Sequence, residues 1–424
     1  MTRDIVIVGA GQAGVQAAAV LAQARDQADD AVTVTLVGDE AHPPYQRPPL
    51  SKAFLKGDAR IEDLYHRATD FYETAGIRLV EARVERIDRD ARRVVLPDGS
   101  VLAYDHLILA TGARNRALDL PGIDLGGIHA LRTLDEAVEI AEGLGAARDI
   151  VVIGAGFIGL EFAATAVGPG RRIHVVEMAD RAMARAVSAG MAAVVEARHR
   201  AAGIGFLFGR RATAFEGDAG RVTHVTLDDG RRLRADMVVI GAGIRPNDGL
   251  AAAAGLDVAD GILVDRDLLT GDPAISAIGD CARFPGEGGG TTRLECVQNA
   301  VDQARHVAAR LSGRTGAYAS VPWFWTDQAE MKLQIAGIGE GADETVTLSD
   351  GAAGGVTVML FRDARLVAVE ALNRTADFMA ARQILSRDAR PGPAEARAPG
   401  FDLRAWAKAA RAPARPAGTD MERS

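Results

Sequence analysis

Residues 4–14 read DIVIVGAGQAG, and 145 residues later residues 149–159 read DIVVIGAGFIG. Each copy is a short apolar run, a G-x-G-x-x-G turn and an Ala-rich stretch with helical spacing, which predicts strand, tight turn, helix. In such a unit the first glycine permits the turn and the second lets a ligand's pyrophosphate approach the backbone. The third lets helix pack on strand, and the helix N-terminus adds partial positive charge. A single copy is weak evidence, since glycine turns serve many folds. Two copies, each with an acid at the end of the next apolar run, constrain the chain far more.

The duplication runs past the glycines. Residues 32–37 and 173–176 predict a second strand in each half, ending at Asp39 and Glu177. Residues 93–104 and 222–233 predict hairpins turning at Asp98-Gly99 and Asp229-Gly230. Each half closes on an apolar run entering glycines, at residues 106–112 and 236–243. Short strands are expected at 261–264 and 274–280, then a helix over 295–311. From residue 321 the pattern changes to alternating strands at 333–338, 345–348, 356–362 and 365–372. The expected fold is α/β, with two Rossmann-like dinucleotide-binding domains and a C-terminal α+β domain containing an antiparallel sheet. The boundaries expected are 1–112 with 242–320 for the first nucleotide domain, 113–241 for the second and 321–410 for the third. Residues 411–424, rich in Ala, Pro and Arg, are expected to be a flexible tail.

Composition narrows the function. The 424 residues are 48% hydrophobic with 47 glycines, which excludes a disordered or collagen-like chain. A net charge of −8 argues against nucleic acid as partner. Two cysteines, Cys281 and Cys296, are too few for a disulfide framework and suit a reducing cytoplasm. Hydropathy over residues 5–24 alone would allow a signal peptide or membrane helix. The glycines and glutamines inside that run fit the nucleotide turn instead, so no membrane attachment is expected. The eight histidines show no metal-ligand spacing, so no metal site is expected. With no cysteine before position 281, the first 280 residues offer no thiol nucleophile.

Four further segments, PYQRPPLSK at 44–52, ATG at 110–112, IGDCA at 278–282 and VPWFWTDQ at 321–328 followed by KLQIAG at 332–337, complete a resemblance spanning roughly residues 4–375. The chain resembles the FAD-dependent NADH–ferredoxin reductases of bacterial oxygenase systems, of the putidaredoxin reductase and biphenyl dioxygenase reductase type. The resemblance implies FAD in the first half, with Gly9, Gly11, Ala13 and Gly14 at its pyrophosphate and Asp39 at its adenosine ribose. It also assigns Val84, Ala110, Thr111, Gly112 and Arg132 to the FAD cleft, Asp280 to the ribityl chain and the Val297 N–H to the pyrimidine edge. NADH is implied over Gly154, Gly156, Phe157, Ile158 and Gly159, with Glu177, Arg185 and Gly243 beside it. Glu177 would repel a 2′-phosphate and so favour NADH over NADPH. Arg181 and Arg185 either relax that preference or face solvent.

Lys52 and Glu161 are the catalytic candidates. Lys52 is one of only four lysines among 49 basic residues, and it follows a rigid Pro-Pro loop. By the resemblance it lies beside the isoalloxazine; the alternative is an ordinary surface lysine. Glu161 interrupts an apolar helix expected over 157–167. A buried carboxylate needs a partner, and the resemblance pairs it with Lys52 near the flavin N5. Complementing the helix dipole is the alternative. For Asp280 the alternative is a helix N-cap. Phe157 is a candidate gate over the flavin and Trp325 a candidate cover from the third domain, or plain core packing.

The function implied is hydride transfer from NADH to FAD, then single electrons to a [2Fe–2S] ferredoxin serving a haem monooxygenase or ring-hydroxylating dioxygenase. Alternatives are an NADH:rubredoxin reductase, another NADH-dependent flavoprotein reductase with a different acceptor, or a slow NADH-binding signalling flavoprotein. The chain is expected to be a monomer or weak dimer. Arg305, Arg310 and the ten basic residues against six acids in 371–424 are a candidate docking face for an acidic ferredoxin, or a solvated basic tail.

Overall fold

The structure is a computed structural model that describes residues 2–25, 32–286, 289–314, 316–348 and 354–410. The tail expected at 411–424 lies outside the described residues. The chain divides into two compact units, Met1–Asp180 with His199–Ser320, and Arg181–Arg198 with Val321–Ser424.

The first unit is built on two five-stranded sheets of the same design. One runs in the order Ile275–Ala277, His106–Leu109, Arg3–Val8, Val32–Gly38, Ile77–Glu81. The other runs Ile204–Phe208, Arg172–Glu177, Asp149–Ile153, Met237–Ile240, Ile128–Ala130. Every pairing in both sheets is parallel. In each, the glycine-motif strand is central, and Ile5–Val8 and Ile150–Ile153 are buried. A strand covered on both faces has no polar face, so it reads as an unbroken apolar run rather than an alternation. Strand order reverses about each central strand, which opens a crevice at its C-terminal end where its glycines lie.

Each glycine turn leads into a helix, Gln12–Arg25 and Phe157–Ala166. Residues 5–24 thus divide between a strand and a helix, and no helix of the described residues is long and apolar enough to cross a membrane. The two expected hairpins form with matching turns, in which Gly99 and Gly230 adopt φ of +82° and +81°. A two-stranded antiparallel ribbon, Ala113–Asn115 against Ile244–Pro246, carries the chain out of the first sheet's half and back.

The second unit holds an antiparallel sheet in the order Trp323–Gln328, Met331–Gly337, Arg365–Leu372, Val356–Arg362, Glu344–Leu348. Helix Thr375–Leu385 covers it through Phe378, Ala381, Ile384 and Leu385, which are buried with Phe361 and Val369. The strand at Trp323–Gln328 and the helices Thr375–Leu385, Pro393–Ala396 and Leu403–Ala409 add to the strands predicted from alternation. Segment Arg181–Arg198 groups with this sheet, which nothing in the local pattern signals.

Candidate functional site

The two turns answer, position by position, why each glycine is there. A methyl group at Gly9 would sit 2.1 Å from the Ala110 carbonyl oxygen, and one at Gly14 1.9 Å from that of Gly9. At Gly154 and Gly159 the clashes are 2.4 Å with the Gly241 carbonyl oxygen and 2.2 Å with that of Gly154. The protein itself requires these four. The middle glycines differ: a methyl at Gly11 or Gly156 would meet nothing within 4 Å. Internal packing therefore gives no reason for a glycine there, whereas a dinucleotide lying close over the backbone does. The residues present fit two bound dinucleotides, FAD and NADH, at the paired turns.

Around the first turn, Gly279 packs so tightly on Ala13 that a methyl on it would stand 3.0 Å from the Ala13 Cβ. Its N–H donates to Gln303 Oε1 at 2.7 Å, which ties the turn to helix Val297–Leu311. This places Asp280 beside the glycine loop, in a one-turn helix that begins after Ile278. Asp280 is thus inside that turn and not its N-cap, which removes the capping alternative. Its carboxylate meets Arg132 at 3.4 Å, and Arg132 stands over Gly112. Burial pulls the Arg132 pKa down, with Asp280 opposing. Thr111 Oγ1 donates to the Asn247 carbonyl at 2.7 Å, and Asn247 Nδ2 donates to that of Thr111 at 2.9 Å. Residues 110–112 are so clamped to the ribbon that follows Gly243. Val84 is buried, and Val297 opens its helix, where its N–H has no acceptor within the helix. Asp39 is exposed at the end of its strand.

The RPPLSK loop is held from two sides. Arg47 and Tyr45 both bond Glu40, Arg47 also donates to the Arg132 carbonyl at 2.7 Å, and the Leu134 N–H donates to the Tyr45 hydroxyl at 2.9 Å. Burial drives the Tyr45 pKa upward, so the phenol stays neutral. At the loop's end Lys52 Nζ lies 2.9 Å from Glu161 Oε1, and the Ser51 hydroxyl donates to Glu161 Oε2 at 2.5 Å. The Glu161 side chain is 6% exposed and that of Lys52 19%. Glu161 is the fifth residue of its helix and faces inward, so it serves this pair rather than the helix dipole, and Lys52 is no ordinary surface lysine. Sequence reasoning passed over Glu40, Ser51, Gln303 and Asn247. Glu40 and Ser51 each adjoin a residue that was singled out, while Gln303 and Asn247 carry no local signal.

At the second turn Glu177 accepts the Ala155 N–H at 2.7 Å and the Ala179 N–H at 2.8 Å, so it shapes the loop that it also charges. Phe157 is half-buried at the helix start, Ile158 is exposed beside it, and Gly243 takes a φ of +91°. In the second unit Arg185 is exposed. Arg181 is not solvent-facing: its guanidinium donates to the Ala184 and Val187 carbonyls at 2.8 and 2.9 Å. Trp325 is half-buried in its strand, its ring 5.5 Å from that of Trp323.

The basic face expected for docking is smaller than composition suggests. Arg310 turns inward to the Ser276 hydroxyl at 2.6 Å, and Arg390 is spent on the carbonyls of Leu366, Leu385 and Arg387. Arg374, Arg397 and Arg404 pair with Asp377, Glu344 and Asp402. Arg411, Arg415 and Arg423 lie outside the described residues. Cys281 is buried, its thiol donating to the Ile278 carbonyl at 3.3 Å. Burial pushes both thiols up, Cys296 to about 12, which suits packing rather than nucleophilic work. Among the described residues no group of three or more His, Cys, Asp or Glu could hold a metal ion.

Twin Rossmann-like sheets, two ligand-facing glycine turns and a buried Lys–Glu pair define a two-dinucleotide oxidoreductase. Residues 3–304 match the pyridine nucleotide-disulphide oxidoreductase family model and residues 323–407 the reductase C-terminal model; the chain belongs to this family. It is 47% identical to rhodocoxin reductase of Rhodococcus erythropolis over 403 residues, covering 95% of this chain and 93% of that one. It is 38% identical to a rubredoxin-NAD(+) reductase of Pseudomonas putida over 371 residues, 87% of this chain and 95% of that one. A solved ferredoxin reductase from Rhodopseudomonas palustris superposes with a TM-score of 0.92 at 46% identity, over 96% of this chain and all of that one.

Proposed function

We propose that this chain is an FAD-dependent NADH:ferredoxin reductase that passes electrons to a [2Fe–2S] ferredoxin feeding a haem monooxygenase or ring-hydroxylating dioxygenase. The observation that carries the reading is the pair of middle glycines, Gly11 and Gly156, each without a neighbour to exclude a side chain. Kinship with rhodocoxin reductase and the ferredoxin reductase supports the choice of acceptor. FAD would lie in a domain formed by residues 1–112 and 242–320, NADH in 113–241, with 321–410 as the interface domain. The protein would work in the cytoplasm as a monomer or weak dimer.

When bound, FAD supplies the chemistry of accepting a hydride and returning single electrons. The chain supplies placement and charge. Gly9, Gly11, Ala13 and Gly14 would cradle the FAD pyrophosphate, and Arg132 with Asp280 would flank its ribityl chain. The Val297 N–H would meet the pyrimidine edge, and Asp39 the adenosine ribose. Lys52, oriented by Glu161, would hold positive charge where the hydride arrives, which favours the more anionic reduced state. Gly154, Gly156 and Gly159 would seat NADH, Glu177 and Arg185 would contact its adenosine ribose, and Phe157 would cover the reacting faces until NADH displaces it. Trp325 would shield the flavin from the third domain.

The test is an anaerobic titration of the flavoprotein with NADH and NADPH in parallel, followed by transfer to a two-iron ferredoxin and to a rubredoxin. Fast bleaching by NADH and preferential reduction of the ferredoxin are expected. Preference for rubredoxin would reassign the acceptor, and bleaching by neither coenzyme would overturn the reading.

A further inference from the structure

The two-stranded ribbon of the first unit carries charges that its own pairing disfavours. In Ala113–Asn115 against Ile244–Pro246, Arg114 stands directly opposite Arg245. Facing residues of an antiparallel pair project on the same side, and like charges there are destabilising. Residues two apart on a strand share a face, so Arg116 joins them just past the strand's end. Its N–H donates to the Gly243 carbonyl at 3.0 Å, which continues the register and sets Arg116 against a residue with no side chain. Three arginines therefore crowd one side of a very short ribbon.

Their charge goes largely unanswered. They line a hollow of about 380 Å³ together with Pro246, Asp248 and Asp260, a volume at the lower end of the small-ligand range. Asp260 is engaged by two arginines that do not line the hollow, Arg283 at 3.4 Å and Arg293 at 3.3 Å. Asp248 accepts the Gly261 N–H at 3.0 Å and stands alone against the three cations. Arg114 donates to the Pro246 carbonyl at 3.1 Å and to Asn247 Oδ1 at 3.0 Å, neutral acceptors that position it without cancelling its charge. Among the described residues, the Arg116 and Arg245 side chains have no hydrogen bond or ion pair. All three arginines are exposed, so a ligand reaches them from solvent. Scattered exposed arginines need no ligand; these are held together by strand register against their own repulsion.

We propose that this hollow is an anion site for a compact, multiply charged phosphate of the diphosphate class, built from residues other than those of the two glycine turns. Guanidinium groups meet phosphate oxygens through paired N–H···O bonds, and a diphosphate offers oxygens to all three. Arg114 and Arg116 belong to the outgoing crossing of the chain and Arg245 to the returning one. One bound anion thus ties the two crossings together.

The experiment is calorimetric titration of FAD-loaded enzyme with diphosphate and, in parallel, with inorganic phosphate, at constant ionic strength and with or without saturating NAD+. Diphosphate should bind with a stoichiometry of one, about tenfold more tightly than phosphate. NAD+ should change its Kd by less than about twofold. Arg116→Gln and Arg245→Gln break no bond within the protein and should each weaken diphosphate binding about tenfold, while Arg305→Gln, at an exposed arginine elsewhere, should not. The Arg116→Gln, Arg245→Gln double variant should bind none, with its flavin absorbance per chain retained. Without ligand, Arg245→Gln should melt at or above the wild-type temperature, because it relieves the pairing with Arg114. A clear fall in that temperature would give Arg245 a structural role and overturn the proposal. Loss of diphosphate binding in the presence of NAD+ would place the anion at the coenzyme turn and overturn it, as would undiminished binding by the double variant or none by the wild type.

Discussion

Replacing Glu161 by Gln removes one charge from the Lys52 pair and leaves the side chain's shape intact. An exposed ion pair is worth about 0–1 kcal/mol, whereas breaking a fully buried one costs about 3–5 kcal/mol. This pair lies between those limits, because the Lys52 side chain keeps 19% of its surface and can rehydrate in part. The expected loss is about 2 kcal/mol. Lys52→Met is the harsher change, since it strands Glu161 at 6% exposure with Ser51 still donating to it; about 3–4 kcal/mol should go. The double variant strands neither charge and should be more stable than Lys52→Met alone. Urea unfolding of the four proteins gives the stability order, and stopped-flow flavin bleaching by NADH gives the functional one, with both single variants slower. Loss below about 0.5 kcal/mol in both single variants would place the pair among surface ion pairs. A double variant less stable than Lys52→Met would refute the argument from a stranded charge.

Gly11→Ala and Gly156→Ala should fold, as judged by far-ultraviolet circular dichroism, because neither methyl meets the protein. The first should lose FAD, read from absorbance near ~450 nm per chain, and the second should lose affinity for NADH. Gly14→Ala and Gly159→Ala, whose methyls strike backbone oxygens, should instead reduce soluble yield. Burial holds the pKa of His66 down at about 4 and that of His106 at about 3, against an ordinary 6.5. The unfolded chain therefore binds more protons than the folded one below about pH 6.5, and the melting temperature should fall as pH drops from there towards 4. His106→Gln should flatten part of that slope. Arg132→Ala should release FAD more readily in gel filtration while Arg305→Ala does not, since Arg132 stands against Gly112 and Asp280, and Arg305 is an exposed helix residue.

Much of the first unit was legible because parallel strands buried on both faces leave unbroken apolar runs, and the glycine spacing marks where each run ends. The Lys52–Glu161 contact was reachable from a carboxylate in an apolar helix, a signal of cost rather than of periodicity. Ser51 and Gln303 were not, since a serine or glutamine in a polar stretch costs nothing until tertiary contacts bury it. The strand at Trp323–Gln328 holds three adjacent aromatics, which hides the alternation that revealed its neighbours. The docking face is smaller than its arginine count for a different reason. Counting arginines gives charge but not direction, and Arg310 and Arg390 point inward to accept structural duties. Membership of Arg181–Arg198 in the C-terminal unit rests on contacts such as those of Ser188 with Glu370, 182 residues further on, which no local window contains.

That membership also bears on the order in which the protein is made. Ser188 and Glu370 are 182 residues apart in the chain. At a synthesis rate of about 5–20 residues per second, Ser188 leaves the ribosome roughly 9–36 seconds before its partner exists. Both nucleotide sheets can close in that interval, since their last strands are Met237–Ile240 and Ile275–Ala277. The stretch after Glu177 cannot be fastened until the final sheet forms. A nascent chain stalled before residue 370 would therefore hold complete nucleotide sheets while segment Arg181–Arg198 still lacked the sheet it packs with, and the last strands of the protein finish work begun near its middle.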